Sequence, residues 1–437
     1  MAKFLTRVRL ALSVARLLSS AVPLAPVPAF LRRFLMIMAW VVPLIPALAS
    51  APSVRADYFT ITDLGGGFGG GYCVPAGINE NGQVAGYSLT GQGDYHAFLY
   101  SSGAMQDLGA FGGSQPYQSN AYGINNSGQV VGYATTNDNT AHAFLYSGGA
   151  MQDLGTLGGK ESQAYAINDT GQVVGYAATN TNDNTVHAFL YSGGRMQDIG
   201  TAPGAGYSIA RGVNSSGQIT GDSYGIGIGE HGFLYSNGRM QDLGILPDGD
   251  NWWTAKGINS SGQIIASPTD PQTGQHSFLY TNGAMQDLGS LGAGSCAFGI
   301  NSIGNVVGWS YYDHTVNGHA GGAFFWSNGV MHDLNELIDP SSNWFLSMAT
   351  AINDNGQIVG IGSNPSGQID AFLLTPSAGG GGGPGDGGSG GPGDGGSGGP
   401  GDGGSGGGAE TVPEPSIFIG LSGLAAMGLV MAWRRRK

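Results

Sequence analysis

Histidine and aspartate recur at fixed spacings along this 437-residue sequence. The histidines are His96, His142, His187, His231 and His276, and the aspartates are Asp63, Asp107, Asp153, Asp198, Asp242, Asp287 and Asp333. Imidazole and carboxylate groups can bind a metal ion or transfer protons. Zinc, however, needs three or four ligands that converge about 2.3 Å from one point, and each histidine lies in a different repeat unit. We therefore predict no metal site, and instead a buried hydrogen bond between each histidine and the aspartate of its own unit.

A second group of candidates combines aromatic rings with polar groups in the variable segments between repeats. Its members are Asp248, Asp250, Trp252, Trp253, Tyr311, Tyr312 and Trp344. Aromatic faces stack on the CH faces of sugar rings, while hydroxyl and carboxylate groups bond to the sugar hydroxyls. We predict that these residues form a carbohydrate-binding face. The alternative is that the rings fill gaps between structural units.

Catalytic and cofactor motifs are weak by comparison. The sequence contains no HExxH, no phosphate-binding loop and no Ser-His-Asp order. A carboxylate pair for sugar cleavage could be assembled from Asp248, Asp250 and Glu230, but sequence does not give their separation. The segment from Asp248 to Asn251 resembles the start of a calcium loop without its closing glutamate. We predict a non-catalytic protein without a cofactor, with calcium as the one ion to consider.

These residues take their positions from a repeated unit, which is complete between Ala121 and Gly155. It reads AYGIN, a turn, QVVGY, a polar loop, HAFLY, a second turn and AMQDLG. Its asparagine recurs as Asn79, Asn125, Asn168, Asn214, Asn259, Asn301 and Asn353. Equivalent residues in neighbouring units lie 42 to 52 positions apart. This period, with four short apolar segments per unit, is typical of β-propeller blades.

The apolar segments are four to six residues long, rich in Val, Ile, Phe and Tyr, and interrupted by glycine, which predicts strands. A glycine follows each repeated asparagine by three positions, as Gly82 follows Asn79. It supplies the left-handed conformation that a tight hairpin turn requires, and the asparagine can bond to the backbone two residues on. We therefore predict structural roles for the repeated asparagines and aspartates.

The two ends of the repeat array complement each other. The seventh unit stops at Pro376 after three strands, whereas Asp57 to Gly65 carries the DLG ending of a fourth strand. We predict that this N-terminal segment pairs with Ala371 to Leu374 and closes a ring without an open edge. The fold is then an all-β, seven-bladed propeller of four-stranded blades over residues 57–376. An open solenoid would need polar caps and would leave this segment unused.

Residues 1–56 predict a secretory signal peptide. Two arginines precede an apolar stretch, residues 34–49, that ends in an A-x-A pattern, and cleavage is expected after Ala49 or Ala56. A permanent membrane-spanning helix is the alternative, but the stretch is short and contains two prolines.

Beyond the repeats, the glycine-rich composition of residues 377–411 predicts a flexible linker. PGDGGSGG occurs there three times, with only a superficial likeness to calcium-binding glycine repeats. Residues 412–437 then contain Pro413, Glu414 and Pro415, an apolar stretch from 417 to 433 and a basic tail. This order predicts a short transmembrane helix whose C-terminus lies inside the cell. Taken alone, it would also suit an ordinary tail anchor.

The three C-terminal elements together closely resemble the PEP-CTERM sorting signal of Gram-negative bacteria. The resemblance implies recognition by an exosortase, for which Pro413, Glu414 and Pro415 are substrate residues, and an association with exopolysaccharide production. The units, with HAFLY and MQDLG, resemble the HAF family of extracellular repeats over residues 57–376. Gly322 and Asp370 replace the histidine in the last two units.

Charge and cysteine content restrict the partners and the compartment. Residues 57–376 contain 24 acidic and five basic side chains, which leaves a net charge of −19. This charge argues against nucleic acid or anionic lipid as a partner of the repeats. A disulfide between Cys73 and Cys296, in the first and sixth units, would require Cα atoms within about 7 Å, and free thiols are the alternative.

Because tight turns alternate with variable connections, all variable connections lie on one face, where a ligand is expected. We therefore predict an exported, monomeric binding or adhesion module for exopolysaccharide or matrix proteins. It would act at the cell surface or in the extracellular matrix, anchored by its C-terminal helix before processing. A structural matrix component without a ligand and a carbohydrate-active enzyme remain as alternatives.

Overall fold

The fold is a seven-bladed β-propeller, as the repeats predict. The computed structural model describes residues 59–112, 118–181, 185–225, 229–269, 274–316 and 318–377. In these ranges the chain forms seven antiparallel sheets of four strands each. None of the described segments is a helix long and apolar enough to cross a membrane. The predicted signal peptide, the linker after residue 377 and the C-terminal helix lie outside the described residues.

The first three blades follow one another along the chain. Blade 1 contains β2 (Gly69–Ile78), β3 (Val84–Thr90), β4 (Tyr95–Ser101) and β5 (Ala104–Asp107). Blade 2 contains β6 (Ser119–Ile124), β7 (Val130–Thr135), β8 (Ala141–Ser147) and β9 (Ala150–Asp153). Blade 3 contains β10 (Ser162–Ile167), β11 (Val173–Ala178), β12 (Val186–Ser192) and β13 (Arg195–Gly200). In each blade the spatial order of the strands is their order in sequence.

The next three blades repeat this arrangement. Blade 4 contains β14 (Tyr207–Val213), β15 (Ile219–Gly225), β16 (Gly229–Ser236) and β17 (Arg239–Asp242). Blade 5 contains β18 (Trp253–Ile258), β19 (Ile264–Pro268), β20 (Phe278–Thr281) and β21 (Ala284–Asp287). Blade 6 contains β22 (Ser295–Ile300), β23 (Val306–Val316), β24 (His319–Ser327) and β25 (Val330–Asp333). Two 3₁₀ turns, Leu334–Glu336 and Pro340–Ser342, lead to the last blade.

Blade 7 joins the two ends of the propeller. It contains β26 (Phe345–Ile352), β27 (Ile358–Ser363), β28 (Ile369–Pro376) and, as its outermost strand, β1 (Phe59–Gly65). β1 runs antiparallel to β28, with Ile61 opposite Leu374 and Gly65 opposite Ala371. The predicted closure by the N-terminal strand is therefore confirmed.

The hydrophobic core lies between adjacent blades. The third strand of nearly every blade contributes a fully buried phenylalanine, and the set is Phe98, Phe144, Phe189, Phe233, Phe324 and Phe372. Phe144 of blade 2, for example, packs in a cluster with Ala85 and Ala97 of blade 1. Burial of each such ring stabilises the fold by about 1.5–3 kcal/mol.

The first strands of neighbouring blades contact one another around the ring and line a central channel. At one end of this channel the repeated asparagines form a closed ring. Each Oδ1 accepts bonds within its own turn; Asn79 accepts from the backbone N–H groups of Asn81 and Gln83. Each Nδ2 also donates to the backbone carbonyl of the next blade's asparagine, at 2.9–3.3 Å. The asparagines thus shape the turns and also join the blades.

The repeated histidines pair with aspartates of their own blades. In blades 1 to 5 the histidine Nδ1 lies 2.8–3.2 Å from the carboxylate. The aspartate side chains remain 32–53% exposed, so the prediction of a buried bond is wrong. In blade 6 the Tyr312 hydroxyl donates to Asp333 at 2.7 Å instead. A Cβ atom at Gly322 would lie 2.2 Å from that hydroxyl, so the tyrosine occupies the space of the missing histidine.

Cys73 and Cys296 are buried free thiols. Within the described ranges, no group of three or more His, Cys, Asp or Glu side chains is placed to hold a metal ion.

Candidate functional site

A β-bulge in each first strand determines which side chains project into the channel. The pairing register with the second strand shifts at the same repeat position in all seven blades. Bulges commonly redirect a side chain. The bulged residues are Ala76, Tyr122, Tyr165, Arg211, Lys256, Phe298 and Thr350. Small residues flank this position in every unit, but the bulged residue itself varies, so the channel wall is asymmetric although the fold repeats.

Tyrosines form one side of the channel, in blades 2 and 3. The rings of Tyr122 and Tyr165 meet across the blade boundary with centroids 5.2 Å apart. Tyr133 and Tyr176, from the second strands, lie 6.1 Å from Tyr122 and Tyr165 respectively. Burial raises the pKa of Tyr133, Tyr165 and Tyr176, so these hydroxyls stay neutral. This wall can offer ring faces and hydroxyl groups to a ligand.

Blade 4 changes the chemistry of the channel from aromatic to ionic. Arg211 occupies the bulge, and Asp222 stands where blades 2 and 3 have Tyr133 and Tyr176. The Arg211 guanidinium pairs with the Asp222 carboxylate through Nε and, at 3.4 Å, through Nη2. It also lies 5.6 Å from the centroid of the Tyr165 ring. The ionic group is therefore continuous with the tyrosine wall.

Two further ionisable groups adjoin this ion pair. Glu230 is 9% exposed, and its carboxyl lies within hydrogen-bonding reach of Asp222. Burial, and then the negative charge of Asp222, raise the pKa of Glu230 to about 8. Burial, and then the positive charge of Arg211, lower the pKa of Lys256 in the next blade. We call Arg211, Asp222, Glu230 and Lys256 the ionic cluster.

An aromatic rim borders the ionic cluster at the variable-loop end of the channel. Trp252, which is 39% exposed, lies 5.7 Å from the ring of Tyr224, and Tyr224 lies 6.1 Å from Tyr207. The Glu230 N–H donates to the carbonyl of Asn251 at 2.9 Å, next to Trp252. This bond fixes the position of the exposed ring relative to the cluster.

The predicted acidic candidates build the loop that presents Trp252. Asp250 is half-buried, and its Oδ1 accepts from the Trp252 N–H at 2.9 Å. Exposed Asp248 accepts from the Asp250 N–H at 3.1 Å. Burial raises the pKa of Asp250. The structure thus brings Asp248, Asp250 and Trp252 together, with both carboxylates engaged in shaping the loop.

Trp253 does not belong to the ligand face that the sequence predicts. Its side chain is fully buried, and its Nε1 donates to the carbonyl of Gly244 at 2.8 Å. In blade 3 the equivalent residue is Ser162, whose hydroxyl donates to Gly155 in the same way. The larger indole fits because the repeat's alanine is replaced by Gly232, where a Cβ would lie 2.2 Å from the indole ring. The prediction that Trp253 contacts a ligand is wrong.

The remaining aromatic candidates lie apart from the cluster, in blades 6 and 7. Tyr311 packs edge-on against Trp309 with centroids 4.2 Å apart. Tyr312 is held by Asp333. Trp344 packs edge-on against buried Phe372 at 6.4 Å and belongs to the core of the last blades. Trp344 therefore fills a gap between structural units, which was the alternative to a role in ligand binding.

Sequence reasoning missed Arg211, Asp222 and Lys256 as site residues. A signal was present, because two of the five basic residues in the repeats, Arg211 and Lys256, stand three positions before a repeated asparagine. Elsewhere that position holds Ala, Tyr, Phe or Thr. Its orientation depends on the bulge, which the sequence pattern does not reveal.

Comparison with known proteins identifies the C-terminal segment. Residues 411–437 match the PEP-CTERM protein-sorting motif, which confirms the predicted signal. No curated protein matches the sequence. The resemblance of the units to HAF repeats stays a prediction.

Several solved structures are similar to the chain. The β-propeller domain of the trilobed protease from Pyrococcus furiosus is 8% identical, with 72% of this chain and 95% of that domain covered and a TM-score of 0.46. YCF48 bound to a D1 peptide is 10% identical, with 75% and 100% covered and a TM-score of 0.44. TolB from Acinetobacter baumannii is 12% identical with a TM-score of 0.34; the match covers 51% of this chain and only about half, 51%, of TolB.

Proposed function

We propose that this protein is exported, sorted to the cell surface or extracellular matrix through its PEP-CTERM segment, and binds polysaccharide at the variable-loop mouth of the propeller channel. The observation that supports this proposal most directly is the aromatic rim of Tyr207, Tyr224 and half-exposed Trp252, which lies next to the ionic cluster. Ring faces stack on sugars, and the cluster beneath supplies hydrogen-bonding groups for sugar hydroxyls.

The geometry of the carboxyl pair favours binding over cleavage. Glycoside hydrolysis requires two carboxyl groups about 5–9.5 Å apart, with the scissile bond between them. Asp222 and Glu230 instead interact directly with each other, and Arg211 also holds Asp222. A sugar therefore has no place between them, and this pair fits a recognition site.

Sorting explains why such a module would carry its C-terminal segment. The PEP-CTERM motif is a substrate signal for an exosortase, with Pro413, Glu414 and Pro415 as the recognised residues. Mass spectrometry of the surface form should find a C-terminus upstream of Lys437. An intact Lys437 on the mature surface protein would contradict this part of the proposal.

The binding proposal is tested by titrating the purified propeller with a panel of neutral and acidic oligosaccharides. We expect Trp252→Ala to weaken binding roughly two- to tenfold, since one stacked ring contributes about 0.5–1.5 kcal/mol. Ile303→Ala is the matched control, because Ile303 is a 75% exposed apolar side chain on the opposite, tight-turn face. Equal affinities for native protein and Trp252→Ala, or binding to no glycan, would reject the proposal.

A further inference from the structure

We propose that the bound polysaccharide presents a sugar residue with a carboxylate, and that Lys256, supported by Arg211, binds this carboxylate inside the channel. The proposal rests on the proposed function, since it specifies the ligand of the same site.

The position of Lys256 suits a cation that binds a ligand. Its side chain leaves the bulge of β18 and is half-buried in the channel wall. Across the part of the chain that the structure describes, it makes no hydrogen bond or ion pair. Partial burial of a charge that no hydrogen bond or ion pair compensates costs free energy. A carboxylate in the channel would supply the missing partner.

The other basic residues show how distinctive this position is. The propeller has five basic side chains, and three of them, Lys160, Arg195 and Arg239, are exposed on its outside. The remaining two, Arg211 and Lys256, occupy adjacent bulges in blades 4 and 5. Among the described Lys and Arg residues of an otherwise acidic propeller, the two that are partly buried therefore stand in adjacent blades and interact electrostatically.

The charge balance of the ionic cluster favours an anion. Asp222 neutralises one positive charge, through its pair with Arg211. Glu230 is held next to Asp222 in a buried position, where it is uncharged at neutral pH and can donate a hydrogen bond. With Lys256 protonated, the cluster carries one excess positive charge. A single carboxylate would balance it.

The surroundings limit how much negative charge the ligand can carry. The propeller's 24 acidic residues repel a densely charged polyanion at long range. The rim of Trp252, Tyr224 and Tyr207 suits a sugar ring, which a small free anion does not have. A polysaccharide with isolated uronic acid units satisfies both conditions, because its ring stacks at the rim while its carboxylate reaches Lys256.

The test compares two trisaccharides of identical linkage, one neutral and one with a single uronic acid unit, by isothermal titration calorimetry. We expect the native propeller to bind the uronic form about tenfold more tightly, as one charged hydrogen bond would provide. Lys256→Met, which keeps most of the side-chain length and removes the ammonium group, should bring the ratio of the two affinities to about one, whatever its effect on binding of the neutral form. Lys160→Met, an exposed lysine in blade 3, is the control and should retain the preference.

Two results would overturn the inference: equal native affinities for both trisaccharides, or an undiminished preference in Lys256→Met. The melting temperature of Lys256→Met should be no lower than that of the native protein, because the variant removes a partly buried charge that has no hydrogen bond or ion pair. A lower value would show that Lys256 stabilises the fold. The proposed function fails separately, if neither trisaccharide binds or if Trp252→Ala binds both as the native protein does.

Discussion

The side-chain amide of Asn353 donates to the backbone carbonyl of Asn79 at 2.9 Å, across 274 positions of sequence. This bond completes the ring of seven asparagines at the centre of the propeller. The pairing of β1 with β28 joins the chain ends a second time, at the outer edge of blade 7. The propeller is therefore closed both around its central axis and at the outer edge of blade 7. The two closures hold the walls of the channel in place.

Removing one asparagine from the ring should destabilise the whole propeller. Asn214→Ala loses the bond to the Asn259 carbonyl and the acceptor for the backbone N–H groups of Ser216 and Gln218. We expect the free energy of unfolding, measured in urea, to fall by about 1–3 kcal/mol, because buried backbone groups lose their partners. Ser260→Ala, an exposed turn residue, should change it by less than about 0.5 kcal/mol. Similar values for the two variants would show that the ring does not stabilise the fold.

Closure by β1 should depend on Phe59. This ring is 6% exposed and packs edge-on against Phe325 of blade 6, while its N–H donates to the carbonyl of Leu337. Phe59→Ala should lower the free energy of unfolding by about 3–5 kcal/mol because it leaves a cavity between blades 6 and 7. Thr62→Ala, exposed on the same strand, serves as the control in thermal unfolding. Unchanged melting of Phe59→Ala would be incompatible with a closing role for β1.

Gly232 and Trp253 should behave as a matched pair. Gly232→Ala places a methyl group 2.2 Å from the indole and should cost about 1–3 kcal/mol of stability by overpacking. Adding Trp253→Ser restores the alanine and serine of the other repeats and should recover much of this loss. A double-mutant cycle of melting curves checks this, and additive effects would refute the pairing.

The stability of the native protein should fall as pH rises through the titration of Glu230. Its pKa lies at about 8 in the folded state instead of 4.5, so between these values the folded protein holds a proton that the unfolded chain has released. The contribution of Glu230 to the free energy of unfolding is fully present below about pH 4.5 and is lost as the pH rises to about 8. The groups facing it are Asp222, Arg211 and Lys256.

Glu230→Gln removes this titration and should flatten the dependence of the melting temperature on pH between 5 and 8. The melting temperature of the variant should exceed that of the native protein at pH 8, where about half of the native molecules carry an ionised Glu230 in a buried position. Glu161→Gln, an exposed glutamate, should follow the native profile. Parallel profiles for all three proteins would contradict the buried position of Glu230.

The fold could be predicted from sequence because the residues that specify each blade recur at a regular spacing. Seven equivalent asparagines set the blade number, and the unmatched segment before Gly65 required a partner in the last unit. The bonds between asparagines could not be predicted, because the partner lies 42 to 52 residues away in six of them and 274 residues away in the seventh, and because the bonds depend on which strand lines the channel. A pattern of apolar segments does not show this.

The site was only partly predictable for a related reason. Trp252 and Trp253 are adjacent and look equivalent in sequence, yet strand alternation exposes the first and buries the second. Arg211 and Lys256 sit among strand residues that point into the sheet packing, and only the bulge turns them toward the channel. Such a change in direction depends on backbone geometry that residue types alone do not specify.

Hydrogen–deuterium exchange of the propeller, with and without the trisaccharide that contains one uronic acid unit, tests most directly whether the channel mouth is the binding site. We predict slower exchange in two segments, Tyr207–Tyr224 and Ile245–Lys256, which contain the aromatic rim and Lys256. Exchange in the tight turns 301–305 and 353–357, on the opposite face, should not change. Protection confined to the tight-turn face, or no protection at a saturating concentration, would contradict a ligand site at this mouth.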